Sequence, residues 1–377
     1  MTNSSSIKGL ISTGYGEIAG TVFTALFWFF LAREIEPEIY GEIHFFIGIA
    51  SIAGFLSTIG TSNTLTVFTA KKIPLQSTLT FSSLLVAFFS FIILFFLYGR
   101  FDLGLLVFGY VINFTSIGTL LGSKQFDRYS KFVLLQKFLT LSLGFLFYYT
   151  LGDEGIIYAL GLTYGPFLII TFKNLKSKIH FSLLKSKIHF VSGNYILQLT
   201  AGLAGHIDKI IVVPILGYTV LGHYSLGLVI VSVMMMIPNI IFKYILPQES
   251  TGSSTSQIKK ISILISVIVA IFGILSFPKL IPIFLPHFIP SIDLIQIMTL
   301  AIIPQSIASL HDAKLLGMEK PYSVFFGNLV TLISLTISLV VLGLYLGSIG
   351  LAIAYLLSIS IRAVFLTVIT SQKFLSK

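Results

Sequence analysis

The sequence predicts an all-α integral membrane protein of about 12 transmembrane helices, arranged as two six-helix lobes related by a pseudo-two-fold along the membrane normal. Three observations predict it. The 55% apolar composition, with 35 Phe, falls in blocks of about twenty residues, the length a helix needs to cross about 30 Å of hydrocarbon. Lys and Arg collect in alternate gaps between the blocks. The two halves of the chain also carry an ordered, nearly constant-offset repeat.

The blocks run near residues 10–32, 43–68, 78–98, 103–122, 132–150 and 155–172 in the first half. In the second they run near 191–213, 219–242, 260–277, 291–310, 322–345 and 349–370. The predicted organisation is an N-lobe at 1–172, a basic cytoplasmic linker at 173–190 and a C-lobe at 191–377. The longest polar gap, Phe172 to Phe190, leaves no room for a soluble catalytic domain. The first block is too long and polar-flanked to read as a cleaved signal.

Charge orients the helices. With the N-terminus inside, the inner segments take 19 of the 24 basic residues, including Lys71, Lys72, Lys131, Lys137, Lys259 and Lys260. The outer segments keep Arg33, Arg100 and Lys279 and collect most of the acids. N- and C-termini are therefore expected in the cytoplasm, with the chain in the cytoplasmic (plasma) membrane. The net charge of +10 is a topology signal and an attraction to the anionic inner leaflet, not a nucleic-acid footprint, since no basic stripe interleaves with exposed aromatics. Cysteine is absent, which excludes disulfides, thiolate metal sites and Cys nucleophiles.

The repeat is carried by several matches. Ile35–Phe45 aligns with Leu216–Leu226 at an offset of 181, placing Gly41 over Gly222 and Glu17 over Gln198. Lys71-Lys72 meets Lys259-Lys260 at 188, Tyr129-Ser130 meets Tyr322-Ser323 at 193, and Leu151–Gly155 meets Leu346–Gly350 at 195. Six spans per half make the repeat parallel. Between the halves lies a tandem duplication, Lys176–Leu184 followed by Lys185–Gly193, which reads as a positive linker or a surface-lying amphipathic hinge. Pro166, Pro214, Pro238 and Pro304 lie within or at the end of spans and mark expected bends. Pro282, Pro286 and Pro290 read as a stiff outer loop. Gly14, Gly16, Gly20, Gly202 and Gly205 read as close-packing positions.

No enzyme constellation survives inspection: there is no phosphate-cradling Gly-Lys-Ser/Thr loop, and paired carboxylates sit only in outer turns. No cofactor and no metal site is expected. The informative residues are ionisable groups inside spans, because each costs about 2.5–3.5 kcal/mol or more at the bilayer centre and so needs a partner or a wet cavity. They are Glu17, His206, Asp208, Lys209, Lys243 and Arg362. Adjacent on one helix, Asp208 and Lys209 are expected to point to different surroundings. Ser12, Tyr15, Glu17 and Thr21 of span one, with Asn194, Gln198 and Asp208 of span seven, are read as lining one wet space. Lys209, Arg362, His206, Asn194, Gln198 and Lys243 are the candidate substrate-binding residues, and Glu17 and Asp208 the candidate coupling residues.

Leu31–Gly41, His206–Ile211 continuing to Leu216-Gly217 and Leu221–Tyr224, Pro247, and Leu316-Gly317 through Lys320-Pro321 resemble motifs of the oligosaccharide and polysaccharide (Wzx-type, RfbX-like) flippases of the MOP superfamily, relatives of the MATE exporters. Glu36 stands where that family has Gly, the chain is shorter than most members, and spans thirteen and fourteen are missing. The resemblance implies a secondary transporter that moves a lipid-linked (polyprenyl-diphosphate) oligosaccharide outward by alternating access, with H⁺ or Na⁺ coupling and glycan-assembly proteins and membrane lipids as partners. In that reading Lys209 and Arg362 replace the diphosphate's water and Glu17 exchanges the coupling ion. The other reading is a MATE-like exporter of organic cations, which would require a carboxylate-dominated aromatic cavity; a membrane glycosyltransferase would require a long outer loop, and none exists.

Overall fold

The computed structural model describes residues 3–59, 61–250, 256–318 and 320–372, with the side chains of 3–18, 243, 244, 246–248, 250 and 372 outside that description. Among the described residues the chain is helical, without strands. The first half supplies α1 (Asn3–Glu34), α2 (Pro37–Ser57), α3 (Ser62–Ala70), α4 (Gln76–Tyr98), α5 (Phe101–Gly122), α6 (Phe126–Leu151), α7 (Gly155–Leu162) and α8 (Leu168–Leu175). A short α9 (Phe181–Ser186) leads into the second half: α10 (Ile188–Met234), α11 (Met236–Ser250), α12 (Ser256–Phe284), α13 (Ile292–Leu300), α14 (Ile302–Gly317) and α15 (Pro321–Gln372).

Eight described helical stretches are long and apolar enough to cross a membrane. Three of them, of 50, 47 and 51 residues, are each twice a single crossing. With α1 as a further span, the total is the twelve read from the sequence. The doubled stretches are folded by glycines in backbone regions that side chains disfavour: Gly152 (φ 69°, ψ −153°), Gly217 (φ 81°, ψ 178°) and Gly347 (φ 60°, ψ −136°). Gly152 and Gly347 are repeat equivalents at the offset of 195, and they share one conformation. α6 spans 126–151 and its counterpart, the first arm of α15, spans 321–346, so the repeat extends to helix ends.

Helix ends otherwise follow local chemistry. Thr61 caps α3, its hydroxyl accepting from the Thr64 N–H at 3.0 Å. Asp102 accepts from the Leu103 N–H in the first turn of α5 while pairing with Arg100 at 2.7 Å. Gly99 (φ 67°, ψ 13°) closes α4 in the left-handed conformation. Within the spans, hydroxyls are satisfied by the carbonyl one turn back, as in Thr24 to Gly20, Ser57 to Ala53, Thr115 to Val111 and Thr331 to Gly327. That internal satisfaction lets polar residues sit in hydrocarbon.

The prolines act as expected in three cases: Pro166, Pro238 and Pro304 each fall in the first turn of a segment that follows a break. Pro214 does not end its helix; α10 runs on to the break at Gly217. Pro282 lies inside α12 rather than in an outer loop, and only Pro286 and Pro290 occupy the 3₁₀ turn at 286–291. Among the glycines, Gly20 meets Lys137 and Gly202 meets Phe55, but nothing lies within 4 Å of a Cβ placed at Gly205.

Two compact units result: residues 1–27 with 46–202, and residues 28–45 with 203–377. In the first, α3 packs on α5 so closely that a Cβ at Gly118 or Gly122 would meet the carbonyl oxygens of Ser62 at 2.6 Å or Thr66 at 2.5 Å. The small-xxx-small spacing of these two glycines permits that approach. In the second, α14 packs on α15 and α11, and the end of α1 and start of α2 join them as residues 28–45.

Candidate functional site

In the second unit, α10 carries two charges that are almost wholly buried, Asp208 at 3% and Lys209 at 6% exposure. They face each other, correcting the expectation drawn from their adjacency: Lys209 Nζ lies 3.0 Å from Asp208 Oδ1 and 3.3 Å from Oδ2. Cα directions diverge by a helical step, but the four-carbon lysine stem is long enough to fold back along its own helix. The carboxylate also accepts the Lys209 backbone N–H at 2.9 Å, and the ammonium reaches the Gly205 carbonyl at 3.4 Å.

Aromatic and imidazole groups surround this pair. Tyr224 and Tyr355 lie within electrostatic reach of Asp208, and His44 lies within reach of Lys209 and His206. His44 is held by Trp28, ring centroids 4.4 Å apart, and by Tyr40 at 4.6 Å, while Phe288 meets both Tyr40 at 5.4 Å and His223 at 5.5 Å. Tyr40 Oη, His44 Nε2 and His223 Nδ1 are buried without a hydrogen-bond partner among the described residues. Polar atoms in that state are uncommon in folded proteins.

Arg362 makes a separate pair. Its Nη2 lies 2.7 Å from Asp312 Oδ2, each side chain 12% exposed, and the adjacent His311 Nε2 is 3.1 Å from the Thr367 hydroxyl. Arg362 Nε and Asp312 Oδ1 have no hydrogen-bond partner among the described residues. Tyr355 precedes Arg362 by two turns of α15, about 10 Å along the axis. The two expected cations therefore each bring a carboxylate, so the site is built from neutral pairs rather than bare positive charge. Pairing of this kind offsets the desolvation that either charge alone would suffer.

The other candidates are dispersed. Asn194 and Gln198 are half-buried on the part of α10 that belongs to the first unit; the Asn194 amide donates to the Phe190 carbonyl at 3.0 Å. The side chains of Glu17 and Lys243 lie outside the described residues. Sequence reasoning missed five residues. Asp312 fell past the expected end of span ten, although its neighbour Lys314 made the segment look like a loop. His44, Tyr224 and Tyr355 are neutral and gave no charge signal. Lys137, counted with the inner segments, lies in α6 eleven residues past its first, about 16 Å along the helix. No group of three or more His, Asp or Glu among the described residues could hold a metal ion.

Long apolar helices, glycine-folded hairpins and buried ion pairs define a multi-pass membrane protein of two compact units. No protein-family model and no curated protein sequence matches it. Solved structures do. The chain is similar to a multidrug-resistance MATE transporter of the MOP superfamily in its inward-facing conformation, with a TM-score of 0.71, 14% identity, and 95% of each chain covered. An outward-facing MATE transporter of the same superfamily matches at 0.64, 16% identity, over 98% of this chain and 96% of that one. A MOP-superfamily transporter from Pyrococcus furiosus, described as having a binding pocket of reversed polarity, matches at 0.61, 14% identity, over 97% and 95%. The chain thus has the twelve-helix, two-lobe fold of MOP-superfamily transporters.

Proposed function

We propose that this protein is a secondary transporter that carries a lipid-linked, polyprenyl-diphosphate oligosaccharide from the inner to the outer leaflet by alternating access. The observation that carries the reading is the Asp208–Lys209 pair sunk in α10 within a fold whose neighbours are solved both inward- and outward-facing. A buried lysine held by one carboxylate can exchange it for a phosphate oxygen. A proton or Na⁺ on Asp208 would release Lys209 to the headgroup, and Arg362 would part from Asp312 in the same way. His206, Asn194, Gln198 and Lys243 would supply polar contacts to sugar and phosphate, and Glu17 a second ion-exchange position. The sequence motifs shared with oligosaccharide flippases, rather than the exporters' expected excess of carboxylates, favour this substrate.

In this reading the functional lobes are residues 1–172 and 191–377, joined by 173–190 at the inner face of the cytoplasmic membrane, with both termini in the cytoplasm. Membrane lipids and glycan-assembly proteins are the partners. Moving a diphosphate's negative charges outward is favoured by about 2.3 kcal/mol per charge per 100 mV, inside negative. The test is reconstitution in proteoliposomes with a fluorescent polyprenyl-diphosphate oligosaccharide, scoring outer-leaflet exposure with an added glycosidase under imposed potential and pH or Na⁺ gradients. Protein-dependent exposure supports the reading. Its absence, while the same vesicles expel an organic cation, replaces it with a cation exporter.

A further inference from the structure

Lys137 is a basic side chain placed well over two turns from both ends of a spanning helix, the 26-residue α6. Its stem lies along α1: a Cβ built on Gly20 would sit 3.0 Å from Lys137 Cγ, 3.6 Å from its Cβ and 4.0 Å from its Cδ. Any larger residue at position 20 would push that stem aside. The ammonium beyond it makes no ion pair or hydrogen bond to a described residue. The described acids of the first unit are elsewhere. Asp102 is committed to Arg100 at the start of α5, Asp127 lies in the first turn of α6, and Asp153 and Glu154 lie in the turn after it.

The neighbouring level of α6 is polar as well. Gln136 donates to Thr163 and to Thr140, both at 3.3 Å. An ammonium at this depth with no carboxylate partner among the described residues is costly in hydrocarbon and is retained where it has an anion to hold. Lysine suits such a task as a compact point charge with three donors on a flexible stem.

We propose that Lys137 is an anion-binding side chain of the carrier, its ammonium taking a phosphate oxygen of the transported headgroup while Gly20 seats its stem. The inference rests on the reading above of an anionic substrate. It adds a binding group in the first unit that no family motif marks. The chemistry recognised is a phosphate or diphosphate, whether on a lipid or free in solution.

The experiment uses the full chain in lipid nanodiscs, titrated with inorganic pyrophosphate and, separately, geranylgeranyl diphosphate. Lys137→Gln is expected to weaken binding by tenfold or more, Lys137→Arg to stay within threefold of the parent, and Lys131→Gln, at an exposed position on the same helix, to change nothing. A second measurement avoids variants altogether. A water-soluble amine reagent should modify Lys137 in the parent, and the diphosphate should slow that reaction. Preference for pyrophosphate identifies a free anion, and preference for the prenyl compound a lipid headgroup; either supports the site. Equal binding by parent and Lys137→Gln overturns this inference alone, as does a Lys137 that the reagent labels no more slowly with diphosphate present. A folded parent that binds neither probe overturns both the inference and the anionic-substrate reading.

Discussion

Replacing Gly41 with Ala tests a close helix crossing in the second unit. A Cβ there would lie 1.9 Å from the Tyr218 carbonyl oxygen and 2.7 Å from the Gly222 N, so α2 and α10 would have to separate by about 1.5 Å to restore the 3.4 Å of ordinary contact. Both obstructing atoms are backbone, so no rotamer change relieves them. Overpacking a core costs about 1–3 kcal/mol, and a clash of backbone on backbone belongs at the upper end. The crossing is reciprocal: a Cβ at Gly222 would lie 1.9 Å from the Pro37 carbonyl oxygen. Pro37 and Tyr218, like Gly41 and Gly222, are equivalents at the offset of 181. Gly41→Ala and Gly222→Ala should therefore destabilise alike, and the double variant by clearly less than their sum, because one separation accommodates both methyls. Reversible denaturation in micelles measures all three, with Gly205→Ala as the open-space control. The reasoning is refuted if Gly41→Ala falls within about 0.5 kcal/mol of the parent, the range of unremarkable surface changes.

Two further substitutions probe the buried charges. Asp312→Ala or Arg362→Ala should each cost about 3–5 kcal/mol by stranding a buried partner, whereas Asp312→Leu combined with Arg362→Met should recover most of it. A double variant no more stable than the worse single one in the same denaturation assay would show that the pair is not what the singles lose. Lys209→Gln should lower transport in proteoliposomes by about ten- to a hundredfold, the scale of one hydrogen bond to a charged group, about 1.5–3 kcal/mol. Unchanged transport by correctly folded Lys209→Gln would remove Lys209 from the substrate path.

The fold was legible because membrane helices advertise themselves by apolar length, and because the repeat places turn glycines at matching positions. Leu151–Gly155 over Leu346–Gly350 shares only Leu and two Gly in five letters, yet it marks two corners with the same backbone conformation. The site was harder to read. Charge inside a span exposes Asp208, Lys209 and Arg362, but not what they touch. Adjacency places Asp208 and Lys209 on different sides of α10, because helical spacing describes Cβ directions and not the reach of a lysine. Asp312 escaped because His311, Asp312 and Lys314 together read as a polar loop past the end of span ten, and Lys137 because it groups with the basic residues of the inner segments. Neutral residues such as His44 and Tyr224 acquire their place through packing between segments distant in sequence, which no single-sequence pattern encodes.

The matched corners also separate two costs that glycine usually conceals together. Gly152 and Gly347 have nothing within 4 Å of a Cβ, so an Ala there meets only an unfavourable backbone region, of order 1–3 kcal/mol. Three residues on, the cost reverses in kind. Gly155 and Gly350 lie in the helix that follows each corner, and what an Ala meets is the preceding helix: the Phe147 carbonyl oxygen at 2.6 Å and the Leu342 carbonyl oxygen at 1.9 Å, again equivalents at the offset of 195. Reaching 3.4 Å takes about 0.8 Å at the first corner and about 1.5 Å at the second. Gly152→Ala and Gly347→Ala should thus cost the same, while Gly350→Ala should cost more than Gly155→Ala. Thermal unfolding of the four single variants gives the ranking directly. If Gly155→Ala proves the costlier of its pair, close approach does not govern these hairpins, and the glycines are kept for the path the chain takes while inserting rather than for the packed state.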